Sequence, residues 1–329
     1  MFRICTIPLI KHHLVGLQSF LSAYTREALA RASERLALCP EPEVLIAHVR
    51  SAEQDGLAWL EGESFFPDQL AVDYGYSPRA WRRWPFAFVR VFDRPLPSPR
   101  QPGALTVARW LNGRDADAGE PFWPPEPIAI SMERLDAWER RTAALALPRL
   151  IASADLAVDF ARASPLAHGN IVIGAMIAER CCVADTRLSA GGIAAIGLKA
   201  RHAPWRALVG GQTDEDLAET SEQARDERCR ITWLEALAAG AGAVVSLDKQ
   251  LRLWLARVDA ACEGRRKSSH LRALALLAGK SPSLTAARAA KVLGLSRQAT
   301  TRLIAEACTR HLLREITHGN AFRRYVIAA

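Results

Sequence analysis

The 329-residue chain contains seven cysteines and no Cys-x-x-Cys spacing. Zinc-ribbon and thioredoxin-like patterns therefore have nothing to rest on. The count is odd: Cys5, Cys39, Cys181, Cys182, Cys229, Cys262 and Cys308. A disulfide framework is not indicated, and reduced, mostly buried thiols are expected. The adjacent Cys181-Cys182 pair reads as two core thiols. Long hydrophobic runs are also missing. Those near 171–177 and 236–247 are too short to cross a bilayer. Residues 1–20 are mildly apolar, but Lys11-His12-His13 interrupts them and no small-residue cleavage site follows, so no signal peptide is expected. On a helix His12 and His13 point in different directions, which disfavours a metal pair. No internal repeat is present. No metal, cofactor or membrane is indicated, and the cytoplasm is the expected location.

What is present is ordinary in bulk and uneven in distribution. Half the residues are hydrophobic and 24% are charged, as in soluble globular proteins. The length allows two domains. The formal net charge is +8. From Gly264 to the end, 13 Lys and Arg face 2 Asp and Glu, a net of +11, while the residues before carry 30 against 33, a net of −3. All the surplus basicity thus lies in the last segment, as a polyanion partner would require.

That segment has internal order. Ala289, Ala290 and Leu293 recur at helical spacing, and Gly294 follows, suited to the left-handed residue that ends a helix. Leu295 fills the turn. Ser296 is an N-cap for a second helix over 297–307, with Ala299, Leu303, Ile304 and Ala307 as its apolar positions. Arg297, Gln298, Thr300, Thr301 and Arg302 are the candidate base contacts, since Arg and Gln suit the edges of guanine and adenine. Residues 312–317 and 322–327 flank His318-Gly319-Asn320-Ala321 as a β-hairpin, with Arg323 and Arg324 on it and Lys291 nearby as phosphate contacts. His311 stands where a glycine often precedes such a hairpin. The stretch resembles the winged helix-turn-helix family, which implies binding to double-stranded DNA. A small helical domain that binds protein is the alternative.

The rest reads as mainly helical. Helices are expected over 22–38, 41–58, 132–144, 150–163, 170–183 and 189–200, with Ser131 as a cap. A helical pair over 226–239 and 247–261 is expected to break at 240–242. Gly191-Gly192 marks a turn before a tightly packed helix, or more weakly a phosphate loop lacking its Lys-Ser/Thr ending. Residues 63–130 carry aromatics, Pro and Gly. There Trp81-Arg82-Arg83-Trp84 reads as half-buried tryptophans flanked by arginines, and 95–102 and 121–127 read as exposed loops. Residues 210–226 read as an acidic loop and 264–269 as a basic linker whose serines cap a helix over 270–277.

One central stretch carries a motif. From Leu147 to Gly174 the chain resembles the core of Fic-domain proteins, which are mostly helical and many of which transfer AMP or another phosphate-bearing group to a target hydroxyl. The family pattern is His-Pro-Phe-x-x-Gly-Asn-Gly-Arg-x-Gly-Arg. Here Ser164 replaces the catalytic His, Pro165, Gly169, Asn170 and Gly174 match, Leu166 replaces Phe, and Ile171, Val172 and Ala175 replace Gly, Arg and Arg. His168 stands where an acidic metal ligand usually sits. Ser cannot act as a general base unaided, and apolar Ile171 and Val172 weaken an anion-binding helix start. The resemblance therefore implies a catalytically degenerate domain, more pseudoenzyme than enzyme, with no catalytic residue assigned. Leu57-Ala-Trp-Leu-Glu61-Gly62 is similar to the inhibitory helix of some members, whose Glu pairs with an Arg that Ala175 replaces here. The whole layout is also similar to helix-turn-helix proteins of rhizobial type.

The combined expectation is a mainly α fold. A helical Fic-like domain over 1–263 would precede a winged helix-turn-helix over 270–329. The function would be a DNA-binding transcriptional regulator, near the nucleoid, acting as a homodimer or with a partner protein. The alternatives are a Fic-type AMP transferase with a non-standard site and a mobile-element accessory factor.

Overall fold

The computed structural model describes residues 7–62, 96–97, 100, 102–112, 128–145, 149–188, 192–210, 221–264, 270–281, 283–317 and 323–328. The Trp81–Trp84 cluster, 121–127 and the hairpin tip at 318–322 lie outside them. The fold is mainly α, with one small antiparallel sheet near the C-terminus. The helices are α1 (Ile7–Ala37), α2 (Pro42–Leu60), α3 (Ala104–Asn112), α4 (Met132–Ala143), α5 (Arg149–Ala163), α6 (Asn170–Cys182), α7 (Ile193–Ala200), α8 (Trp205–Gly210), α9 (Glu222–Cys262), α10 (Leu271–Gly279), α11 (Ala286–Leu293) and α12 (Arg297–Thr309).

Capping explains several boundaries. The Ser131 side chain accepts from the Arg134 N–H at the start of α4, as expected, and Ser221 does the same for Ala224 at the start of α9. Pro42 opens α2 at a position where its missing N–H costs no helical bond.

The centre of the fold is α7, buried from Ile193 to Leu198. It lies between α2 and α9 at a separation only glycine permits. A Cβ on Gly197 would collide with the Ala236 carbonyl, and one on Gly240 with the Ile193 carbonyl. One on Gly56 of α2 would lie 2.5 Å from the Ala195 carbonyl oxygen. The reading of Gly240–Gly242 as a break is therefore corrected. α9 is one continuous helix of 41 residues, about 60 Å long at 1.5 Å per residue. Its glycines cost helix propensity, and the backbone approach at Gly240 outweighs that cost. α9 is also the one described helix long and apolar enough to cross a membrane, and half of its apolar window is buried within this fold.

In the loop expected to be exposed over 95–102, Pro97 and Arg100 are exposed, but Leu96 and Pro102 are buried. α3 was not expected in this region. It forms because Ala104, Val107, Trp110 and Leu111 fall on one face and bury there.

Beyond α9 the order is α10, β1 (Leu284–Thr285), α11, α12, β2 (Leu313–Glu315) and β3 (Arg324–Ile327), with sheet order β1-β3-β2. Leu284 pairs with Tyr325, and Leu313 pairs with Ile327. This unit is docked on the body. The Trp254 indole of α9 donates to the Leu312 carbonyl at 2.9 Å. Arg272 pairs with Glu41 and Asp259, and Lys280 pairs with Glu43. The apolar core runs without interruption from Val44 and Trp254 into Leu271, Leu274 and Leu312.

Two helix-interior glycines should therefore respond to alanine in opposite ways. Gly242→Ala, with open space around its Cβ, should raise stability by about 0.5–1 kcal/mol. Gly240→Ala should lower it by about 1–3 kcal/mol or more through overpacking. Urea unfolding of both variants measures the difference.

Candidate functional site

The exposed face of α11 and α12 is built by two caps and a turn. The Thr285 hydroxyl accepts from the Arg288 N–H, and α11 ends at Gly294 with φ 66°. The Ser296 hydroxyl then accepts from the Ala299 N–H at 3.2 Å to open α12. Thr300, Ile304 and Ala307 bury one side of α12. Arg297, Gln298, Thr301, Arg302 and Ala305 stay exposed. α12 ends in a reversed-turn cap. His311 takes φ 54°, and the Leu312 N–H donates to the Ala307 carbonyl. The histidine thus occupies the left-handed position usual for glycine.

Charge divides this unit in two. Arg272, Lys280, Arg310 and Arg323 each face an acid. Among the described residues, Arg288, Lys291, Arg297 and Arg302 are exposed with no acidic partner. Arg272 and Lys280 thus meet acids of the body, while these four cations on α11 and α12 meet none among the described residues.

Three sequence expectations are corrected here. Thr300, a candidate base contact, has no exposed surface, and its hydroxyl donates to the Ser296 carbonyl. Ala299, expected in the core, is exposed and Thr300 is buried in its place, while Leu303, Ile304 and Ala307 face the core as expected. Arg324, a candidate phosphate contact, is 7% exposed and donates from Nη1 to the Ser283 hydroxyl at 2.7 Å. The cause is β1, which pairs with β3 and covers Arg324. Arg323 remains exposed, 3.5 Å from Glu315.

The second candidate region is the 164–170 turn between α5 and α6. Ser164 adopts φ 46°, a strained conformation for a non-glycine residue. It is held there by its N–H donating to Phe160, its hydroxyl donating to Ala161 at 2.8 Å, and Arg134 donating to its carbonyl at 3.0 Å. Pro165 is buried, and its carbonyl accepts from the Ser131 N–H. The Asn170 amide closes the turn from both sides, accepting from the Leu166 N–H and donating to the Leu166 carbonyl. Gly169 caps α6 with φ 77°. A Cβ on Gly174 would lie 2.8 Å from the Ala157 carbonyl oxygen, so this glycine serves helix packing. His168 is exposed on the turn.

Glu61, at the end of α2, is brought to the same region. Burial raises its carboxyl, while Arg206 and His168 act to lower it. A cation thus faces Glu61 from α8, although Ala175 is buried and carries none. Sequence reasoning missed Arg206 because it lies far away along the chain.

The start of α7 is also settled. The Glu179 carboxylate accepts from the Ile193 and Ala194 N–H groups at 2.7 and 2.8 Å. The helix end beside Gly192 therefore holds the protein's own carboxylate, which corrects the phosphate-loop alternative. Arg180 is buried beside it, with Nη1 3.6 Å from Glu53 Oε1 and its guanidinium over Trp110. A Glu-Arg pair inside an otherwise apolar helix was the available sequence signal. Burial raises both carboxyls. Glu179 accepts from two backbone N–H groups, whereas among the described residues neither oxygen of Glu53 has a hydrogen-bond partner. Glu53 is therefore the one that keeps its proton, pushed up to about 8.

No protein-family model matches the chain, and no curated protein matches it. Among solved structures, a Fic family protein from Desulfovibrio desulfuricans is similar at 17% sequence identity and a TM-score of 0.48, covering 94% of this chain and 95% of that chain.

The Glu53 carboxyl binds its proton more tightly folded than unfolded. Its contribution to stability is complete below the unfolded value of 4.5 and is lost as pH rises toward about 8. Glu53→Gln, which cannot ionise, should unfold at higher urea than the parent protein at pH 8, and the gap should close toward pH 4.5.

Proposed function

We propose that the chain is a DNA-binding protein, a transcriptional regulator, whose residues 270–329 act as a winged helix-turn-helix. The observation that carries this reading is the set of exposed cations without acidic partners among the described residues: Arg288 and Lys291 on α11, Arg297 and Arg302 on α12. Gln298 is exposed on the same helix as two of them, next to a capped turn of the form that presents a reading helix to the major groove. Strand order and the exposed Arg323 support a wing beside it. Lys291, Arg288 and Arg323 would bind phosphate, and Gln298, Thr301 and Arg302 would face base edges. The helical body would orient this unit and pair with a second copy or a partner protein. The cytoplasm, at the nucleoid, is the location this function implies.

Binding of the full chain to duplex DNA should weaken steeply with salt. Lys291→Ala should reduce the slope of log affinity against log salt by about one, with little change in sequence preference. Arg302→Ala should cost about 1–3 kcal/mol and relax the preference at one position. Fluorescence anisotropy on duplexes enriched from genomic fragments measures both. Absence of binding to any duplex at low salt would overturn the proposal.

A second reading, group transfer of Fic type at the 164–170 turn, is favoured by one observation: Glu61, Arg206 and His168 interact around a turn that Asn170 holds rigid. Under it, incubation with ATP labelled in the nucleotide would label a protein in a cell lysate, and His168→Ala or Asn170→Ala would abolish the label. Under the degenerate-domain reading, no protein is labelled.

A further inference from the structure

The reading face of α12 has a feature that residue types alone conceal. Thr301 is exposed, yet its hydroxyl donates to the Arg297 carbonyl one turn back, at 2.9 Å. The donor is engaged within the helix, and the γ-methyl is what the side chain offers outward. Ala305, one turn further on, is also exposed and adds a second methyl. Gln298 and Arg302, both exposed polar groups, lie beside this pair along one edge of it. In the major groove, thymine is the base that presents a methyl group, and a Thr or Ala methyl is its apolar complement.

We infer that Thr301 reads a thymine through its methyl group and not through its hydroxyl, with Ala305 extending the same apolar contact. The inference rests on the DNA-binding reading. It makes the preferred site one in which thymine lies beside the bases contacted by Gln298 and Arg302. Adenine and guanine are the matching edges for those two side chains.

The test removes one methyl at a time from each partner. Duplexes enriched by the full chain from a random pool are remade with deoxyuridine at each thymine, which deletes only the 5-methyl group. Affinity should fall about fourfold at a position that contacts one buried methyl. Thr301→Val keeps the methyl and deletes the hydroxyl, and it should preserve this discrimination. Thr301→Ser keeps the hydroxyl and deletes the methyl, and it should bind thymine and deoxyuridine duplexes alike at that position. Equal affinity of the parent protein for both duplexes at every position overturns the inference. So does discrimination that survives in Thr301→Ser but not in Thr301→Val. Both results leave DNA binding intact. If no duplex is enriched, the DNA-binding reading itself fails and this inference falls with it. The exposed position of Thr301 keeps folding out of the comparison, and Thr300→Val, at the buried neighbour, reports on helix integrity separately.

Discussion

The structure depends on the backbone-to-backbone approach of α7 to α9. Gly197 and Gly240 remove the two side-chain carbons that would hold these helices apart, and carbonyls of the facing helix occupy the vacated space. Gly56 allows the same from α2. A short helix enclosed this closely cannot expose its first N–H groups to water. The Glu179 carboxylate satisfies them from α6. That solution buries a charge, which Arg180 balances, with the protonated Glu53 carboxyl beside the pair. A steric requirement met by three glycines thus leads to a buried polar cluster at the junction of four helices.

The same packing makes α9 uninterrupted and lets it serve both ends of the molecule. Near its start, Trp233 donates to Ser153 and Arg230 forks onto Asp155, which ties it to α5. Near its end, Trp254 holds the Leu312 carbonyl, immediately after α12 and before β2. α2 makes a parallel connection, with Glu41 and Glu43 against α10 and Glu61 near the 164–170 turn. The small C-terminal unit is therefore oriented by the body through two helices. On its docked side Arg272 and Lys280 face acids, whereas Arg288, Lys291, Arg297 and Arg302 are exposed with no acidic partner among the described residues.

In the 164–170 turn the polar groups mostly serve the turn itself. The Ser164 hydroxyl is directed to Ala161 and the Asn170 amide to Leu166. Gly174 admits the Ala157 carbonyl. Asn170 and Gly174, which match the Fic pattern, thus serve the turn and the crossing of α5 and α6 in this chain.

How far residues alone carry depends on the range of the interaction involved. Short-range signals were legible: the Ser131 and Ser296 caps, the left-handed Gly294, the helical spacing of α5 and α6, and the concentration of charge after residue 264. Each is set by contacts within a few residues or by composition. The exposed face of α12 was legible to within one residue, and that residue mattered, because it exchanged Thr300 for Ala299 as the outward position. What tertiary structure decided was long-range. The two-residue strand β1 is too short to signal itself, yet pairing with it buries Arg324. Gly240 reads as a helix breaker until Ile193, 47 positions earlier, is seen to need the space. Arg206 and Glu61 acquire meaning only as neighbours. Local hydrogen bonding and charge count are properties of the sequence. Which polar side chains remain available to a partner depends on burial, and burial is created only when distant segments pack.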